Sequence, residues 1–215
     1  MTYLQIVNAV LKRLRENQVD TVDFDEYSAL VGAFVNDAKS QIEDSHTWSA
    51  LRSTILINTV SGTSEYSITG SGNHPIIQAI VNDTSNRFIT FRDSVFFNRA
   101  YYMGQVLEGT PVHFTMAGVD GSGDLKIKLY PQPDAAYALR VDGAYQQADL
   151  DSDATVMLIP ANPVVQLAYA MALRERGESG GQSAQEQMIY ADRVLSDYIA
   201  IDANYFPTET AFVVA

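Results

Sequence analysis

The sequence predicts an α+β protein. An N-terminal and a C-terminal helix pair form one four-helix bundle, and an antiparallel β-sandwich or barrel-like lobe is inserted between them. Three observations predict this. Apolar residues recur at helical spacing before residue 53 and after residue 149. Between those points the period changes to short β-rich runs separated by turn residues. Each outer helix pair is too small to bury its own apolar stripe, so packing all four together is the simplest solution. The expected parts are 1–53, 54–148, 149–207 and a C-terminal arm at 208–215.

The first helix opens on Thr2 and Gln5, a capping box in which each side chain satisfies a backbone N–H of the other. Leu4, Val7, Val10, Leu11 and Leu14 follow at helical spacing, and Lys12, Arg13 and Arg15 suit the negative end of the helix dipole. Asp23 with Glu26 offers the next cap. Tyr27, Leu30, Val31, Phe34, Val35, Ala38 and Ile42 then form one stripe along a helix expected over 25–45, with Trp48 near its end.

In the middle third, SGT separates TILINTV from SEYSIT, NDTSN separates IIQAIV from RFITF, and VDGSGD separates HFTMAG from LKIKLY. Each set reads as a hairpin. DSVFFNRAYYMG reads as a short helix capped by Asp93 and ended by Gly104. Pro131 and Pro133 precede a last strand, YALRVDGAY. DLDSDATVMLIP is a linker. Pro163 stands in the first turn of a helix whose inner side is Val164, Leu167, Ala168, Met171 and Ala172, and Gly177 ends it. Ser183 with Glu186 caps a final helix over 184–203, with Ile189, Leu195 and Ile199 among its apolar positions, and Pro207 closes it.

Composition narrows the function. The chain of 215 residues carries 14 Lys and Arg against 26 Asp and Glu, a net charge of -12. Residues 1–53 contribute net -3, 54–148 net -2 and 149–215 net -7. A general nucleic-acid binder needs cations to neutralise phosphate, so that class is excluded. The absence of cysteine removes disulfides, thiolate metal sites and Cys nucleophiles together. No run reaches the ~18 apolar residues of a membrane span. The first residues lack the apolar core and cleavage site of a signal peptide.

Sites of chemistry are scarce. His46, His74 and His113 fall at a helix end, in a glycine-rich loop and in a strand, with no partner at helical spacing. The glycines at 70, 72, 118, 121 and 123 match no phosphate-loop motif and read as turn residues. Asp120 and Asp124, and Asp149, Asp151 and Asp153, match no Ca²⁺ loop and read as solvated acidic turns. Phe88, Phe91, Phe96, Phe97, Tyr101 and Tyr102, with Arg87, Arg92 and Arg99, read first as packing around the short helix and second as a protein contact. The expectation is therefore no catalytic residue, no cofactor and no metal. The candidate contact residues are Phe206, Phe212, Val213 and Val214, because an exposed terminus is normally more polar.

Several strings in order resemble one family. YLQIVNAVLKRLRE, YSALVGAFVNDAKSQIEDSHTWSALR and TVSGTSEYSIT look like the opening of the head-to-tail adaptor proteins of tailed bacteriophages, of the tail tubular protein A type found in short-tailed phages. LKIKLYPQPDAAYALRVDGAYQQADL resembles the last strands of that family, and IPANPVVQLAYAMALRERGESGG and DYIAIDANYFPTE resemble its closing helices. The resemblance implies a structural protein of the virion neck, made in the host cytoplasm. It implies a ring of twelve subunits between the portal and a tail nozzle or stopper, which helps to seat tail fibres and lets double-stranded DNA pass without specific binding. The competing readings are a non-catalytic carbohydrate- or peptide-binding module and, last, a hydrolase built on the histidines and acidic loops.

Overall fold

The computed structural model describes residues 1–72, 74–177 and 182–205. Among them are five α-helices and seven strands: α1 (Tyr3–Arg13), α2 (Glu26–Ser45), β1 (Arg52–Asn58), β2 (Glu65–Ser67), β3 (Ile76–Asn82), β4 (Arg87–Phe91), α3 (Ser94–Tyr102), β5 (His113–Val119), β6 (Leu125–Tyr130), β7 (Ala138–Ala144), α4 (Ala161–Arg176) and α5 (Gln182–Ala203). The chain divides into two compact units. One comprises Met1–Leu51 and the chain from Gln147 onward, and the other comprises Arg52–Gln146.

In the helical unit α4 packs against α1, α2 and α5, and α1 packs against α2. The inner faces follow the 3.6-residue period. They hold Ile6, Val7, Val10 and Leu11 of α1, Val31, Val35, Ala38 and Ile42 of α2, and Val164, Ala168 and Ala172 of α4. Each fully buried Val, Leu or Ile side chain favours the folded state by ~1.5–3 kcal/mol. The Thr2–Gln5 capping box forms as expected, with both bonds present. The second cap differs. Asp25 accepts from the Ser28 N–H at 2.6 Å, and the Ser28 hydroxyl accepts from the Asp25 N–H, so Asp23 and Glu26 are not the box. Leu30 lies at the edge of its stripe and is exposed. Of the apolar positions expected in α5, Ile189 faces solvent, while Ala184, Ala191 and Val194 are buried. Ser183 falls inside the first turn of α5 rather than before it.

Two charged residues of α2 are buried. Lys39 and Glu43 form an i,i+4 ion pair at 3.3 Å, each side chain only 1% exposed. The Lys39 ammonium also donates to the Gln147 carbonyl at 2.6 Å, which ties the returning chain to α2. Burial pushes the Glu43 carboxyl above its ordinary range, against the pull of Lys39. The linker is similarly fixed. Asn36 bonds both the N–H and the carbonyl of Leu150, and Asp153 accepts the Val22 N–H at 3.0 Å. The aspartates of this linker therefore include one that holds backbone. Close approach also requires Gly32, where a Cβ would lie 2.5 Å from the Tyr3 hydroxyl and 2.8 Å from Val22.

The other unit is a nearly closed, barrel-like sheet in the order β1-β7-β3-β4-β5-β6-β2. Alternate residues point inward, as a two-residue period demands. Ile57, Tyr66, Ile68, Ile80, Ile89, Phe114, Ile127, Leu129, Leu139, Val141 and Tyr145 form its core. The expected hairpins β3–β4 and β5–β6 are present. The first expected hairpin is not. β1 pairs with β7 and β2 pairs with β6, so the chain around SGT spans the two edges of the sheet instead of joining paired neighbours. The Tyr66 hydroxyl fixes that connection by donating to the Thr63 carbonyl at 2.7 Å and accepting the Val60 N–H at 3.0 Å. Nor is the sheet wholly antiparallel. β4 and β5 run parallel, with Thr90 opposite His113, and the crossover between them carries α3.

β7 is central to this unit, because it pairs with β1 on one side and β3 on the other. Its Gly143 has no room for a side chain. A Cβ there would lie 2.8 Å from the Ile76 carbonyl oxygen and 3.1 Å from the end of the Tyr145 ring. The Tyr145 hydroxyl donates to the Val141 carbonyl at 3.0 Å, and burial pushes its pKa up to about 12. Gly143→Ala should therefore cost about 1–3 kcal/mol, because the obstacle is backbone that cannot turn away. Hydrogen exchange of the β3 and β7 amides measures this, and unchanged protection would contradict it.

The ion pair gives a second prediction. Glu43→Leu alone should cost about 3–5 kcal/mol, since it leaves the Lys39 charge buried opposite an apolar group. Lys39→Met with Glu43→Leu should recover most of that loss, because both desolvation costs vanish together. Trp48, the one tryptophan of the chain, is fully buried in the same unit, so its emission during urea unfolding follows both variants.

Candidate functional site

Among the described residues, no group of three or more His, Asp or Glu side chains is placed to hold a metal ion. The three histidines have separate surroundings. His46 ends α2, meets the edge of Trp48 at 5.2 Å between ring centres, and lies 3.1 Å from the Asp202 carboxylate. Asp202 also accepts the Ser49 N–H at 3.0 Å and the Ser49 hydroxyl at 2.5 Å. Burial opposes ionisation of Asp202, but the two Ser49 bonds and His46 outweigh it and hold the carboxyl below its ordinary range. His113 lies beside the Thr90 hydroxyl at 2.7 Å, and burial together with Arg92 lowers its pKa. His74 is exposed.

The acidic turns bind backbone. Asp120 accepts the N–H groups of Ser122 and Asp124, and Asp124 in turn accepts those of Gly70 and Gly72. These bonds brace two loops of the β unit against each other. They leave the carboxylates at work as turn caps.

The most distinctive surface surrounds α3. Asp93 caps the helix by accepting the Phe96 N–H at 2.9 Å. Phe97 is buried and is the core anchor, stacked on Tyr101, whose hydroxyl donates to the Leu129 carbonyl at 2.6 Å. Phe96 is half-buried and wedged edge-on against His113 at 5.2 Å and Tyr130 at 5.5 Å. The remaining aromatics of the expected packing cluster are not core. Phe88 is 71% exposed, Phe91 57% and Tyr102 76%, and Val95 and Met103 are exposed with them. A cleft of 480 Å³ opens here, lined by Phe91, Arg92, Asp93, Val95, Phe96 and Arg99. Arg92 sits 5.8 Å above the Phe96 ring. Among the described residues, Arg87, Arg92 and Arg99 form no ion pair, although the chain as a whole is strongly acidic. Exposed aromatics beside arginine are the composition of a protein contact rather than of a reaction centre.

The other candidate contact residues, Phe206, Phe212, Val213 and Val214, lie outside the described residues, as does the arm at 208–215. Sequence spacing located the α3 aromatics but assigned most of them inward. The signal available was the three arginines interleaved with the aromatics, Arg87, Arg92 and Arg99, which a buried cluster would not tolerate unpaired.

A model of the family described as SU10 adaptor protein matches residues 1–208. The chain belongs to that family. It is thus a bacteriophage head–tail adaptor, a structural component of the virion neck that contacts other virion proteins. The family's role is structural and suggests no enzyme. No curated protein matches the chain significantly. Among the described residues of the adaptor, no helix is long and apolar enough to cross a membrane.

The Asp202 node predicts an acid limb. Because its folded pKa is lowered, its contribution is fully present above the unfolded value of about 3.9 and is lost as pH falls through the folded value. Asp202→Asn should lower the melting temperature at neutral pH and flatten its decline below pH ~4. Thermal melts from pH 2 to 7 check this, and parallel curves for the two proteins would contradict it.

Proposed function

We propose that this adaptor assembles into a ring of twelve copies between the portal and a tail nozzle or stopper, around the channel through which DNA leaves. The observation that carries the reading is the family match along 1–208. Within the family, the strings at both ends of the chain favour the tail tubular protein A type. The parts divide the work. The four long helices form one bundle as the base, the β unit is a lobe that presents the α3 surface, and the arm at 208–215 makes contacts between proteins. Tail fibres are further partners.

Charge supports the rest of the proposal. A net charge of -12 per copy opposes packing many copies together in free solution, so assembly waits for a portal template. Salt eases that repulsion, since the Debye length shortens to ~8 Å at physiological strength. The same acidity keeps the channel wall from holding DNA, because it offers few cations to displace counterions from phosphate.

Electron microscopy of the full chain mixed with portal rings of the same phage tests this. A stacked second ring on the portal, with weak self-association in its absence, is the expected result. Portal rings that stay bare at micromolar adaptor concentration would overturn the proposal. Duplex DNA should run unretarded past the assembled rings, and tight, salt-sensitive retardation would overturn the statement about the wall.

A further inference from the structure

The cleft beside α3 has the features of a peptide site. Its floor is rigid, because Phe96 is held on two sides by His113 and Tyr130 and its backbone N–H is fixed by Asp93. Its rim is apolar and exposed, with Phe91 and Val95. Its charged lining residues are Arg92, Asp93 and Arg99; Asp93 is engaged as the cap of α3, and neither arginine is in an ion pair among the described residues. From Arg87 to Met103 the chain carries three arginines and one aspartate, a local excess of cation in a protein of net charge -12. A basic, aromatic cleft on an acidic chain selects an acidic, apolar ligand, and exposed like charge elsewhere keeps copies from meeting by other faces.

The chain itself contains such a ligand. Beyond Tyr205 it continues FPTETAFVVA, with Glu209 as its one charged side chain and Phe212, Val213 and Val214 as its bulk. Glu209 and Phe212 are three residues apart, so in a polyproline II conformation, with three residues per turn, they lie on one side about 9 Å apart. That matches a ligand that sets one ring in a small cleft and one carboxylate on its rim.

We propose that the α3 cleft of each copy receives the 206–215 segment of the next copy, with Phe212 against Phe91 and Phe96 and Glu209 paired to Arg92 or Arg99. The inference rests on the ring reading above and adds to it which surfaces meet. One copy offers its cleft and the next offers its arm, so the contact is heterologous, and repeated by a fixed rotation it closes a ring. Each contact is small. In a closed ring many are made at once, and the effective concentration of every arm near its cleft is high.

Because the protein has no cysteine, engineered thiols report this contact without background. Two full-length chains, one Val95→Cys and the other Ala211→Cys, are mixed with and without portal rings and mildly oxidised. A disulfide-linked heterodimer should form, enriched by the portal, and a control pair with Ser196→Cys in place of Val95→Cys should not link. Arg92→Glu with Arg99→Glu on the Val95→Cys chain should cut the yield about tenfold, and Glu209→Lys on the other chain should restore it. Recovery by the second charge swap excludes misfolding as the cause of the loss. Linkage inside one doubly substituted chain at nanomolar concentration, where copies do not meet, would overturn the proposal in favour of a segment held by its own chain. Stacked rings on the portal without the heterodimer would overturn it in favour of a different ring contact. A charge-insensitive yield would also overturn it. A heterodimer formed while portal rings stay bare would leave the arm contact standing and remove the portal reading instead.

Discussion

The antiparallel ladder between β1 and β7 is the constraint on which the architecture depends. It sets Arg52 opposite Ala144, so the chain enters and leaves the β unit at neighbouring positions. Helical segments separated by the whole unit can then meet in one core, as α1, α2 and α4 do. The entropic cost of closing so long a loop grows only as the logarithm of its length, about 0.6 kcal/mol per doubling, so the inserted unit can be large without weakening the core it interrupts. Gly143 and Tyr145 protect the neighbouring ladder between β7 and β3. The glycine admits the Ile76 backbone and the tyrosine ring where any side chain would intrude, and the Tyr145 hydroxyl closes onto the strand it belongs to.

Polar groups fix how the returning chain meets the first helices. Lys39, Asn36 and Asp153 all bind across a long sequence separation: Lys39 to the Gln147 carbonyl, Asn36 to both backbone groups of Leu150, and Asp153 to the Val22 N–H. Apolar stripes alone would tolerate a helix sliding by one turn, because the stripe repeats. A buried charge or a bidentate amide does not, because a slid helix would strand it without a partner. These bonds give the packing its register, while the Val, Leu and Ile side chains give it most of its stability.

Local features were legible in the sequence. The Thr2–Gln5 box, the Asp93 cap of α3, the left-handed Gly177 after α4 and two of three hairpins depend on residues a few positions apart, which is the range over which propensity and spacing act. What escaped was long-range. SGT has the composition of a hairpin turn, yet β1 and β2 find better partners in β7 and β6, so tertiary pairing overrides the local signal. The parallel register of β4 and β5 has no local signature at all. The burial of Lys39 and Glu43 has no local signature either, because charge is normally solvated and only the fold supplies the Gln147 carbonyl that makes burial tolerable. Around α3 the aromatics read first as packing, but only the fold decides which are covered: Phe97 is buried, while Phe88, Phe91 and Tyr102 are exposed.

The parallel pairing of β4 with β5 has a consequence for how this surface can change over generations. Parallel neighbours cannot be joined by a tight turn, so the chain must make an excursion between them, and α3 is that excursion. The helix is anchored by paired strands on both sides and by Phe97 and Tyr101 beneath, whereas Val95 and Arg99 are exposed on its outer side and contribute little to folding. Inheritance can therefore rewrite that outer side almost independently of the rest of the protein. Lineages can alter that surface while the scaffold that presents it stays the same.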